Sequence, residues 1–150
     1  VRINAAVTQA LAWSHDVPVI PVSTLQALAQ AAYRLEGLTA VTAVLDARMN
    51  EVYIASYELD AQGIMQAVDQ EQLLNYSDAA QVVRFQLVGS GAGLIDQEQI
   101  QYKGLSATAQ DIATIARVCA QQQQWVSAEQ ALPVYLRDNA WKKIPEQGKA

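Results

Sequence analysis

The stretch VTAVLDARMNEVYIASY, Val41 to Tyr57, decides how this chain folds. Val41 to Leu45 is a continuous apolar run of strand length. Val52 to Tyr57 is rich in β-branched and aromatic residues, and only Ala47 to Asn50 lies between the two. So short a link permits nothing but a reversal. Asp60 to Gly63 marks a second turn, after which a weaker strand begins at Ile64. Three consecutive strands joined by short turns make an antiparallel meander.

Downstream, the pattern predicts a short helix over Asp78 to Val83, a strand over Gln86 to Val88 and a glycine-rich bend, VGSGAG. A longer helix spans Thr108 to Gln122, with Ile112, Ile115, Ala116 and Cys119 on one face. Cys119 therefore reads as a small core residue. The glutamines Gln121 to Gln124 read as a solvated helix end.

Upstream, Ile3, Val7, Ala10 and Leu11 recur at helical spacing, so the helix is expected to be under way by Ile3. A start inside an element leads us to expect a segment preceding Val1. Pro18 forces an extended lead into a short strand, Val19 to Val22. Ser23 reads as the next N-cap, with Gln26 completing a capping box. Leu25, Leu28, Ala29, Ala32 and Leu35 form that helix's stripe, and Gly37 stops it. The expected division is 1–37 as the end of a first lobe, 38–136 as a second lobe and 137–150 as a basic tail. This tail holds four of the 10 basic residues.

Composition narrows the chemistry. At 150 residues with 51% hydrophobic and 17% charged residues, the chain can bury a real core. No apolar run reaches the roughly 18 residues of a membrane span, and no signal-peptide pattern is present. One cysteine and one histidine rule out an internal disulfide and argue against a zinc site of those ligands. The expected compartment is the reducing cytoplasm. A net charge of −5 disfavours stand-alone nucleic-acid binding, which needs clustered Lys and Arg.

A meander followed by alternating helix and strand describes a ribonuclease-H-like lobe. Two such lobes make the α/β architecture of the actin, Hsp70 and sugar-kinase superfamily. Four segments then resemble one family within it: VRI with its alanine-rich helix ending LAW, PVIPVSTLQALA, LDARMNEVYIASY, and LPVYLRDNAW. In order and spacing they are similar to the TsaB (YeaZ) family. The resemblance implies strands, a first helix and a GSFTG-type segment before VRI, so that the first lobe here is incomplete. Asn4 departs from the small residue usual after RI.

The same resemblance implies a role in making threonylcarbamoyladenosine in tRNA. The TsaB-type protein is there a non-catalytic partner of a TsaD-type subunit, which holds the metal and performs the transfer. A TsaE-type ATPase joins them, and tRNA is met only through the complex. Without its partner the family forms a homodimer. The helix carrying Ile3, Ala6, Val7, Ala10, Leu11 and Trp13 is the implied partner interface, although both of its faces could equally be ordinary core. One side of that helix is expected to face its own sheet. Tyr135 and Arg137 belong to the PxYLR tail, expected to return to the first lobe with Arg137 meeting a carboxylate.

Enzymes of the superfamily hold nucleotide phosphates in Asp-Gly-rich hairpins, because backbone N–H groups must approach the oxygens unobstructed. The hairpin here offers Asp46, Arg48 and Glu51, followed by Tyr53, and no glycine. A carboxylate about 4 Å from a phosphate charge costs roughly 1–4 kcal/mol. We read Asp46, Arg48, Glu51 and Tyr53 as structural, with Arg48 pairing to Asp46 or Glu51. Gly89, Gly91 and Gly93 follow GxGxG rather than GxGxxG, so a tight strand-to-helix turn is the simpler reading. A degenerate nucleotide pocket stays open there. No catalytic residue, cofactor or metal is expected. The rivals are an actin-like ATPase or kinase with its motifs upstream, and a peptidase, although no GxSxG elbow is present.

Overall fold

In the computed structural model residues 2–137 are described; Trp141, Lys142 and Lys143 of the expected tail lie outside them. Helices α1 (Arg2–Ser14) and α2 (Thr24–Glu36) lead into β1 (Ala40–Asp46), β2 (Glu51–Leu59), β3 (Met65–Ala67) and β4 (Gln72–Asn75). Then follow α3 (Tyr76–Val82), β5 (Gln86–Val88), α4 (Ala92–Ile95), α5 (Ala109–Gln121) and a 3₁₀ turn (Ala128–Gln130).

The meander forms as the sequence predicts. Strand β1 pairs antiparallel with β2 from Ala40↔Glu58 to Asp46↔Val52, and β5 joins the other side of β1 in parallel. The third strand is broken in two, which the sequence reading missed. β3 pairs with the end of β2 and β4 with its beginning. At the break, the Asp69 carboxylate accepts the Ser56 N–H at 2.7 Å, while Arg84 stands 3.5 Å from Asp69. A side chain thus fills the ladder position that a continuous strand would have supplied.

Helix α2 lies on one face of the sheet, burying Leu25, Leu28, Ala29 and Ala32 against Val41, Ala43, Ala55, Tyr57, Met65 and Val88. Full burial of each large apolar side chain contributes on the order of 1.5–3 kcal/mol. Residues 24–36 therefore share a core with the meander, and the division expected after Gly37 does not coincide with a gap in packing. Helices α3 and α4 cover the opposite face through Ala79 and Ala92 on Val44, Val52, Ile54 and Leu87. Helix α5 packs on the outer side of α2, joining Ala27 to Ile115 and Val118.

That extra layer corrects two expected stripes. Leu35 is exposed, whereas Ala27, Gln30 and Ala31 are buried between sheet and helix. On α5 it is Asp111, Ile115 and Val118 that face inward, and Ile112 is exposed. Cys119 is half-buried beside them. Gln30 pairs with the Met65 N–H at 2.9 Å and the Gly63 carbonyl at 3.0 Å.

The caps also differ in detail. Ser23 accepts the Gln26 N–H at 3.3 Å, but the Gln26 amide donates to the Met65 carbonyl instead of completing the box. Helix α3 starts at Tyr76 on an Asn75 cap. The expected strand Val19–Val22 is a single bridge, Val19 to Val126. Helix α1 rests on the 3₁₀ turn rather than on the sheet.

Candidate functional site

Two features dominate the surface: the outer side of α1 and the β1–β2 hairpin. On α1 the inward side is small, with Ala12 buried and Ala5 and Gln9 half-buried. The larger residues point away. Ile3 is 79% exposed, Val7 54%, Leu11 58% and Trp13 74%, with Ala6 and Ala10 exposed among them. Ile3, Val7 and Leu11 are each one turn apart and so share a face. An exposed row of large apolar side chains is a face suited to packing against a further segment or a partner.

The hairpin has no glycine, yet Arg48, Met49 and Asn50 all adopt left-handed backbone, with φ of 62°, 53° and 58°. For residues with a Cβ this costs roughly 1–2 kcal/mol each, least for asparagine. Bonds on every side impose it. The Asp46 carboxylate accepts the Arg48 N–H at 2.8 Å, Ala47 N–H donates to the Glu51 carbonyl, and Glu51 N–H to the Arg48 carbonyl. Arg137 completes the set: its guanidinium stands 2.9 Å from the Glu51 carboxylate, donates to the Ala47 carbonyl at 3.2 Å and meets the Met49 sulfur at 2.8 Å.

Hence Arg137 takes the carboxylate that the sequence reading gave to Arg48, whose side chain makes no ion pair among the described residues. Arg137 thus reaches the β1–β2 hairpin rather than the amino-terminal segment. Tyr135 is the residue that turns toward the amino-terminal segment, with the Arg2 guanidinium 5.7 Å from its ring centre. Tyr53 is half-buried against the α2 side of the core.

The glycine bend is built for close packing. A Cβ on Gly89, at φ 101°, would lie 2.4 Å from the Val44 carbonyl oxygen and 2.5 Å from Leu28. One on Gly91 would lie 2.4 Å from the Val44 side chain, whereas Gly93 has more room. The Gly89 N–H donates to the Tyr102 carbonyl, Gly91 to Val44 and Ala92 to Gly89. The N–H groups of Gly89, Gly91 and Ala92 are thus taken up by the protein's own carbonyls.

Two ionisable networks brace this frame, and sequence periodicity signalled neither. Arg34 grips the fully buried Asp111 with both prongs, at 2.8 and 3.0 Å, and Thr108 N–H adds a third bond at 2.9 Å. Burial works to raise the Asp111 pKa, but Arg34 and Thr108 outweigh it and hold the carboxyl below its usual range. Elsewhere, Glu71 accepts from Ser23 and from the Tyr57 hydroxyl. Burial first, and the Glu71 charge second, push the Tyr57 phenol far above its usual value.

A mixed sheet with a leading meander, layered by helices on both faces, defines an α/β protein of the actin-like class. Comparisons with known proteins place it more narrowly. A family model described as "TsaD: tRNA N6-adenosine threonylcarbamoyltransferase" matches residues 1–148. The chain is 36% identical over 161 aligned residues to the Escherichia coli protein named tRNA threonylcarbamoyladenosine biosynthesis protein TsaB, covering 97% of this chain and 68% of that one. The Haemophilus influenzae protein of the same name is 35% identical with the same coverage. Among solved structures, YeaZ from Pseudomonas aeruginosa superposes with a TM-score of 0.80 at 37% identity, covering 90% of this chain and 68% of that one. A second Pseudomonas aeruginosa structure, described as similar to peptidase YeaZ, gives the same TM-score at 36% identity over 91% and 67% of the two chains. The chain belongs to the TsaB family.

Proposed function

We propose that this chain is a non-catalytic partner subunit in the threonylcarbamoyladenosine modification of tRNA. It binds a TsaD-type catalytic subunit through α1, a TsaE-type ATPase joins the pair, and tRNA is engaged only through the assembly. In the absence of the partner, the same face makes a homodimer. The setting is cytoplasmic; among the described residues no helix is long and apolar enough to cross a membrane.

The observation that carries this reading is the exposed row Ile3, Val7 and Leu11 on a helix whose small-residue side is already used. The hairpin supports it from the other direction. Its left-handed tip carries the Met49 side chain, the Glu51 carboxylate and a tie to Arg137 in place of the glycines that would open backbone N–H groups to phosphates. Gly89 and Gly91 serve the turn between β5 and α4, Gly93 lies in the first turn of α4, and Asp46, Glu51 and Tyr53 are structural.

Calorimetric titration of the chain with the TsaD-type subunit of the same organism tests the reading. Val7→Glu and Leu11→Glu each put a charge into the apolar face, and each should weaken pairing by roughly 30-fold or more, about 2 kcal/mol. Undiminished affinity in both would reject α1 as the interface.

A further inference from the structure

We infer that the tip of the β1–β2 hairpin, Arg48 to Asn50, is a preorganised second contact that inserts Met49 and Arg48 into an apolar, acid-rimmed pocket on the partner protein. This rests on the partner-subunit reading above. A two-residue Asn-Gly or Asp-Gly turn would reverse the chain with little strain. This hairpin instead keeps an arginine and a methionine at φ of 62° and 53°. Strain of this kind persists only where the surroundings over-determine it, and it gathers at sites of function.

The geometry shows what is being held and how. Arg137, 88 positions along the chain from Met49, fastens the Met49 sulfur, the Ala47 carbonyl and the Glu51 carboxylate. The grip lies behind the tip, because Met49 remains 72% exposed and Arg48 and Asn50 are exposed beside it. Arginine and methionine are both enriched in interfaces. A tip already fixed in its bound shape loses little further entropy on docking.

Charge selects the partner. The Arg48 guanidinium has no ion-pair partner among the described residues, so a carboxylate is its natural complement. An arginine with no ion pair among the described residues, beside a methionine, is a poor fit to RNA, which rewards several clustered cations. Arg137 is a positioning residue here, since it acts through the shape of the tip.

Three variants of the full chain test this against the TsaD-type subunit: Arg48→Gly, Arg48→Glu and Met49→Ala. Arg48→Gly removes left-handed strain, so melting should rise by about 2 °C while affinity falls about tenfold. Arg48→Glu and Met49→Ala should lower affinity similarly, with melting unchanged. A turn of purely structural importance would show the rise in melting with no change in affinity, and that result overturns the inference. Weakened binding of a tRNA transcript, with protein pairing intact, overturns it in favour of nucleic acid. If the hairpin variants pair normally while Val7→Glu does not, the inference fails and the partner-subunit reading stands. If the unsubstituted chain does not pair, both fall.

Discussion

Arg34 and Asp111, 77 positions apart, form a two-pronged ion pair that clamps α5 onto the outer side of α2. Asp111 is fully buried, whereas Arg34 keeps part of its side chain in water. The cost of removing one partner is therefore asymmetric. Arg34→Ala leaves a buried carboxylate without its cation and should be the more destabilising of the two changes. Asp111→Ala leaves a guanidinium free to turn outward and should cost less. Urea unfolding of the two variants side by side measures that ordering.

The same pair sets a pH dependence. The Asp111 carboxyl is held below its ordinary value in the folded chain, so the unfolded chain binds its proton more readily as pH falls. Its contribution is present above the unfolded pKa of roughly 4 and is lost as pH drops through the lower folded value. Stability should decline below about pH 4, and in Arg34→Ala that acid-linked decline should be shallower, because the guanidinium no longer holds the folded carboxyl below its unfolded value. Denaturation midpoints followed from pH 6 to 3 give the comparison.

Tyr57 titrates in the opposite direction. Burial and the neighbouring Glu71 raise its phenol pKa, so the stabilising neutral form is fully present below the unfolded value near 10. That contribution is lost as pH rises through the higher folded value. In alkaline absorbance titration one tyrosine should stay un-ionised until the chain unfolds, and Tyr57→Phe should delete that late step.

Gly89→Ala is expected to be among the most damaging single changes. The added methyl meets the Val44 carbonyl oxygen and Leu28 at about the length of a covalent 1–3 separation, at a φ that alanine resists. A loss of roughly 3 kcal/mol or more is expected. Gly93→Ala should cost far less, as its nearest neighbour, an Ile100 methyl, stands 3.2 Å away. Thermal melts of the pair decide it.

Much of the fold could be read from local pattern. The strands at Val41 and Val52 and the stop at Gly37 follow from residue type at close range. What could not be read depends on a third layer. Leu35 looked like core because periodicity knows only one buried face, and α5 arriving on α2 moved the inward side to Ala27 and Ala31. Strand β4 was hidden because Asp69, a ladder-breaking carboxylate in sequence terms, satisfies the Ser56 N–H in space. At the candidate site, α1's apolar row was legible as spacing, but its exposure was not. Arg137 was expected to meet a carboxylate, and Glu51 could be identified only once the carboxy-terminal strap lay across the hairpin.

The central claim, that α1 is the face through which this chain meets its catalytic partner, is tested most directly by hydrogen exchange. The full chain is compared alone and saturated with the TsaD-type subunit. Slowed exchange concentrated in Arg2–Ser14, with the outer surfaces of α3 and α5 unchanged, is the predicted result. Saturated binding that leaves Arg2–Ser14 exchanging at its free rate would contradict it.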